Sequence, residues 1–377
     1  MTIYELPTPA LLIDKTILEK NLFSMQKKAN ALGVRLRPHI KTHKCLEIAK
    51  RQVELGARGI TVSTFYEAEQ FAAAGYGDIT WAFPIPPVYA TKVVAFPESI
   101  SLGVVVDSKE AKGHLDKVCR TAGRKLRVWL KVDCGYHRAG VDPEAEGSLT
   151  LARSLADSKV LTFAGILSHS GHAYNARNRE EIRPAAEQER DVMVAFAEKL
   201  RAHGVKVPSV SIGSTPALSV IEDLKGINEV RPGNYAFYDY TQATIGSCTV
   251  ADCAVTVLAS VISHQPGASH FVTDAGALAL SKDRGATQVN EGQGLGALFE
   301  DYEKKKLALH IELSSLSQEH GKVTASDPSI IKDKYAIGER VRILEHHSCL
   351  AAANFDKYSV VDGEEVVDQW KILRGRA

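Results

Sequence analysis

Eight apolar, β-type runs recur at 34–40, 59–64, 79–83, 101–107, 126–133, 161–168, 209–213 and about 228–232, with helical stretches in most of the gaps. A chain that alternates strand and helix this way is confined to βα units wound into a parallel sheet. Eight such units over roughly 200 residues predict a closed (β/α)8 barrel of the TIM type. An open doubly wound sheet is the alternative, but no GxGxxG follows the first strand. The runs are nearly continuous in apolar residues (Gly103-Val104-Val105-Val106, Val128-Trp129-Leu130), as strands covered on both faces must be. Among the helices, Thr16 and Glu19 form a capping-box pair ahead of Leu18, Leu22, Met25 and Ala29, and Gly33 sits where a C-terminal cap belongs. A second helix is expected over 66–74, ended by Gly75, and a third over 187–203, ended by Gly204.

After about residue 245 the rhythm changes. Segments 255–263, 271–273, 307–313, 341–344 and 357–361 are β-like with little helical pattern between them, and Asp362-Gly363 is a hairpin signal before Val366-Val367. The expected organisation is a barrel over 15–245 and an all-β domain made of 246–377 together with residues 1–14, whose opening strand is 10–13. Segment 281–298, rich in Gly, Asp and Lys, reads as a mobile loop. The net charge of +1 and the lack of a basic run argue against nucleic acid as a partner. No run approaches the ~18 apolar residues that span a bilayer, so no membrane association is expected. No basic and then apolar leader opens the chain, and the six cysteines, scattered without a CxxC pair, read as reduced cytoplasmic thiols.

In a barrel of this type the chemistry collects at the C-terminal ends of the strands. Strand one ends in Arg37-Pro38-His39-Ile40-Lys41-Thr42-His43-Lys44. A lysine there whose amine is kept free by neighbouring positive charge can form a Schiff base; the bland alternative is a solvated basic strand end. Strand five is followed by Asp133, His137 and Arg138, strand six by Ser168-His169-Ser170-Gly171 and then Tyr174. Strand seven ends in Gly213-Ser214-Thr215-Pro216, and strand eight runs into Arg231-Pro232-Gly233-Asn234-Tyr235. Alone these last two are ordinary turns. After strands seven and eight, however, they supply the backbone N–H groups and small hydroxyls that hold a phosphate. A phosphate site beside a Schiff-base lysine indicates pyridoxal 5′-phosphate, with Arg138 on its phenolic oxygen and Tyr174 either against its ring or simply a rim aromatic. In the second domain His347 and Cys349, two apart, face the same side of an extended chain and suit zinc, leaving positions open for water or substrate. A buried cysteine packed beside a histidine is the plainer reading. Gln318-Glu319-His320-Gly321 offers a third ligand, an outer partner, or only a polar loop.

Taken in order, Leu6-Pro7-Thr8-Pro9-Ala10, the segment 37–44, Gly59-Ile60-Thr61-Val62-Ser63-Thr64, the two phosphate loops, Gln318-Glu319-His320-Gly321 and His347-Ser348-Cys349 resemble the D-serine dehydratase / D-threonine aldolase family. These are fold-type III pyridoxal-phosphate enzymes of alanine racemase architecture, and the resemblance spans essentially the whole chain. It implies a homodimer with partner residues in each active site and a metal close to the cofactor. It also implies Lys41 as the Schiff-base lysine, Arg138, Tyr174, Ser214, Thr215, Gly233 and Asn234 as cofactor contacts, and His347 and Cys349 as zinc ligands. Thr42 after the lysine and Cys349 two after the metal histidine resemble the dehydratase branch, which turns a D-3-hydroxy amino acid into a 2-oxo acid and ammonia. Aldolases of the family more often resemble Lys-Met-His and His-x-Asp with Mg²⁺ or Mn²⁺. Ser281-Lys282-Asp283-Arg284-Gly285 is similar to a segment of hydroxyaspartate dehydratases. The alternatives are a retro-aldol enzyme giving glycine and an aldehyde, a racemase, and a non-catalytic pyridoxal-phosphate carrier.

Overall fold

The computed structural model describes residues 1–376, the side chain of Lys332 apart. All eight apolar runs become strands of one parallel sheet: Arg35–Leu36, Ile60–Val62, Asp78–Pro84, Ser101–Val106, Leu126–Lys131, Leu161–Leu167, Val210–Ile212 and Glu229–Val230. The first strand pairs with the eighth, and the ring closes where Thr61 N donates to Pro38 O at 2.8 Å and His39 bridges Thr61. The first and last strands are far shorter than their apolar runs. Pro38 and Pro232 follow them and have no N–H to give to a ladder.

The barrel interior is not simply apolar. Arg37, buried inside it, donates to Glu229 Oε2 at 2.8 Å and to Asp78 Oδ2 at 2.7 Å, so that one side chain ties the first strand to the eighth and the third. Burial of Arg37 and Glu229 is tolerable only because they are paired.

The helices depart from expectation at their starts. Lys15–Ala31 is capped by Asp14, which accepts from Ile17 N at 3.1 Å, so Thr16 lies inside the helix and the Thr16/Glu19 capping box does not form. The capping box instead opens Phe65–Ala73, between Thr64 and Glu67. The long helix runs Arg179–Ala202, eight residues earlier than its apolar stripe indicates, because Asn178 caps it by accepting from Glu181 N at 3.0 Å.

The second sheet has ten strands and is mixed. The N-terminal strand Ala10–Asp14 lies in its middle, antiparallel to Val255–His264 and parallel to Lys357–Asp362. The hairpin turns at Gly363 (φ +61) into Glu365–Lys371, as its Asp-Gly signal indicates. Segment 307–313 does not form one strand: Lys306–Leu307 and Ile311–Leu316 are separated by a turn. Ala297–Asp301 and Gly321–Ala325 are strands that the sequence reading missed. Nor is the region all-β, since it holds the short helices Ala277–Leu280, Ser329–Lys334 and Ser348–Ala352. No helix among the described residues is long and apolar enough to cross a membrane.

Candidate active site

The first strand leads into a single helical turn, Ile40–Thr42, with His39 Nδ1 accepting from Lys41 N at 3.4 Å. The Lys41 side chain is exposed, and among the described residues it makes no ion pair. Its charge is felt by its neighbours. Loss of solvent first, and the Lys41 ammonium second, hold the imidazoles of His39 and His169 well below their ordinary range. On the fifth strand Lys131 is buried, and burial, with the nearby Arg231 guanidinium, brings its amine down to about 8. The Arg138 charge acts on both Lys131 and His169, and its guanidinium lies 5.0 Å from the centre of the Tyr136 ring. Four cations therefore gather at one barrel mouth, which favours an anionic occupant.

A buried carboxylate fixes the neighbouring strand ends. Glu189, on the long helix, accepts from Ser168 Oγ at 2.7 Å, Ser170 Oγ at 2.6 Å and Gly213 N at 3.2 Å, and Ser170 Oγ lies 3.1 Å from Ser214 Oγ. Sequence reasoning missed Glu189, although it is the one acid on the apolar stripe Ile182, Ala185, Ala186, Met193 and Phe196. Gly213 needs its glycine, with φ +117. Thr215 Oγ1 accepts from Tyr235 N at 3.1 Å and so ties the loops after strands seven and eight together. A Cβ on Gly233 would lie 2.8 Å from His39 O, so only glycine lets the eighth loop close on the first. Asn234 directs its amide towards the second domain, donating to Asp239 Oδ2 at 2.7 Å and Ser348 Oγ at 3.0 Å, while its Oδ1 is buried without a partner. Tyr174 is half-buried, and burial, with the charges of Cys349 and Asp239, pushes its phenol up.

The second domain meets this mouth through Ser348–Ala352. His347 is the N-cap of that helix and Cys349 its second residue, so the two converge through a helix start and not through the extended chain expected from their spacing. Cys349 Sγ lies 3.3 Å from Thr42 Oγ1, beside Lys41. Loss of solvent alone would raise the thiol. The hydrogen bond and charge of His347, with the Lys41 ammonium, outweigh it and bring Cys349 down to about 7. For His347 desolvation acts downward, but Asp283 Oδ2, 3.0 Å from Nδ1, and the Cys349 sulfur raise the imidazole to about 11. The same contact draws Asp283 down to about 2. Among the described residues no three His, Cys, Asp or Glu side chains converge as a metal cage. The exposed residues Gln318, Glu319 and His320 lie in the turn after Ile311–Leu316; Asp283 stands next to His347 instead.

Both implied groups fit the residues present. A lysine without an ion pair stands in a cationic mouth with glycine-lined loops, as a phosphate-bearing cofactor requires. A thiol already drawn towards thiolate sits beside an imidazole whose Nδ1 is engaged, leaving Nε2 for a metal.

A parallel barrel whose mouth is faced by a mixed sheet, with the chain's own first strand at the middle of that sheet, defines the alanine racemase-like class of folds. Residues 13–241 match the family described as alanine racemase, N-terminal domain, and 254–361 match a serine dehydratase domain. The chain belongs to the D-serine dehydratase / D-threonine aldolase family of fold-type III enzymes. It is 36% identical to D-threo-3-hydroxyaspartate dehydratase of Delftia sp., over 99% of this chain and 99% of that one. It is also 36% identical to D-serine dehydratase of Dictyostelium discoideum, over 98% and 97%. Identity to D-threonine aldolase of Arthrobacter sp. is lower, 28% over 97% and 92%. A solved D-threo-3-hydroxyaspartate dehydratase, a cysteine-to-alanine variant in metal-free form, superposes with a TM-score of 0.94 over 100% of both chains.

Proposed function

We propose that this protein is a pyridoxal-phosphate- and zinc-dependent dehydratase, a lyase that converts a D-3-hydroxy amino acid of the D-serine, D-threonine or D-3-hydroxyaspartate type to a 2-oxo acid and ammonia. The observation that carries the reading is the 3.3 Å contact between Cys349 Sγ and Thr42 Oγ1, which joins the metal pair to the turn bearing Lys41. The barrel, residues 15–245, holds the cofactor; residues 1–14 and 246–377 carry the metal.

When bound, pyridoxal 5′-phosphate supplies a sink for the electron pair at Cα, and zinc the Lewis acidity that lets a β-hydroxyl leave. Lys41 Nζ would hold the cofactor, and the same amine would take the Cα proton. Arg138 would hold the cofactor's phenolic oxygen, and Tyr174 would pack near its ring. Ser214, Thr215, Gly233 and Asn234 belong to the loops that hold its phosphate. His347 Nε2 and Cys349 Sγ would hold the metal, and a thiolate donor favours zinc over Mn²⁺ or Mg²⁺. The higher identity to dehydratases than to aldolases supports elimination over carbon–carbon cleavage. The family resemblance supports a homodimer with each site completed at the interface. Six free cysteines support a reducing, cytoplasmic setting.

The test is product identity. Purified protein incubated with D-serine, D-threonine and both D-3-hydroxyaspartates is expected to release ammonia and a 2-oxo acid in equal amounts from at least one of them. Glycine with an aldehyde, or no turnover of any, would overturn the reading.

A further inference from the structure

Two side chains that are neither cofactor nor metal ligands grip the His347–Cys349 pair from opposite sides. The first comes from the sheet domain. Asp283 sets Oδ2 3.0 Å from His347 Nδ1, while Oδ1 accepts from Gly285 N at 2.8 Å and the Asp283 N–H reaches Ser281 Oγ at 3.2 Å. The turn that presents this carboxylate is tightly specified. Ser281 is held at φ +66, and Gly285, at φ +63, packs so closely on His346 that a Cβ would lie 2.3 Å from its Nδ1. The second comes from the barrel. Thr42 is fully buried in the Lys41 turn, its Oγ1 3.3 Å from Cys349 Sγ. Gly233 presses on it from below, since a Cβ there would lie 3.2 Å from the same Oγ1.

We infer that Asp283 and Thr42 are the positioning residues of the metal pair. Asp283 accepts the Nδ1–H of His347, which fixes the tautomer, leaves the Nε2 lone pair for the metal and raises the basicity of the ring. Once the Cys349 sulfur is a thiolate, Thr42 donates its hydroxyl to it, which aims the sulfur and withdraws charge from it. One grip belongs to the metal's own domain and the other to the barrel, so the metal site is complete only when the two are in register. The inference rests on the reading of His347 and Cys349 as metal ligands, and no residue of the reaction itself is reassigned.

The experiment measures Zn²⁺ affinity of the cofactor-loaded, metal-stripped protein by competition with a chromogenic chelator, for the wild type, D283N, T42V and T42S. Cofactor absorbance reports that each variant is folded. D283N is expected to bind zinc on the order of 10- to 100-fold more weakly. T42V is expected to bind more weakly as well and, in the Co²⁺-substituted protein, to shift the sulfur-to-metal charge-transfer band. T42S keeps the hydroxyl and is expected to match the wild type in both readouts. Wild-type affinity in both D283N and T42V, with cofactor absorbance intact, overturns the inference. If H347A and C349A bind zinc as tightly as the wild type, the ligand assignment itself fails.

Discussion

At Cys349 desolvation and charge pull in opposite directions, and charge wins: the thiol falls to about 7 while its neighbour His347 rises to about 11. A metal needs the thiolate and the neutral imidazole, so binding must expel whatever protons the pair still carries. At pH 8 that is about one proton, from His347; at pH 6 it is about two, because the thiol is then protonated as well. Affinity therefore climbs with pH, more steeply below 7 than above it. Calorimetry of zinc binding in buffers of different ionisation enthalpy checks this, and binding that releases no proton would contradict it. Residue types make Lys41, His347 and Cys349 candidates, and the family resemblance raises them above their plainer readings. Asp283 and Glu189 are not singled out in that way. Each is one acid among many, and what sets it apart is contact with residues 64 and 19 to 24 positions away along the chain.

The barrel strands are readable at the level of elements because both their faces are covered, so side-chain alternation gives way to continuous apolar runs. The second sheet is harder. Ala297–Asp301 ends in two acids at its outer edge, Gly321–Ala325 alternates a lysine and a threonine with its buried residues, and Ser348–Ala352 is too short for a helical period to register. Arg37 pairs across the ring with Asp78 on the third strand and Glu229 on the eighth. Arg37→Met leaves Glu229 buried without its cation, an expected loss of about 3–5 kcal/mol read as a fall in Tm. The double variant Arg37→Met/Glu229→Met is expected to recover most of that loss. A single variant as stable as the wild type would show that the ion pair does not hold the ring closed.

For the whole molecule, the decisive segment is the first. Leu11, Leu12 and Ile13 are almost wholly buried at the centre of the second sheet, and Asp14 caps the first barrel helix. Deleting residues 1–14 removes three side chains worth about 1.5–3 kcal/mol each, besides two ladders and the cap. Against the ~5–15 kcal/mol that holds a typical domain together, that loss is expected to abolish the cooperative thermal transition. A truncated chain that still melts cooperatively and binds zinc would refute it. The same threading brings Lys41 and the His347–Cys349 pair together. The direct measurement is dialysis of the cofactor-loaded protein against EDTA. Turnover of D-3-hydroxy amino acids is expected to vanish and to return with zinc, while the absorbance of the cofactor stays unchanged throughout. Full turnover by protein shown to contain no metal would contradict the account.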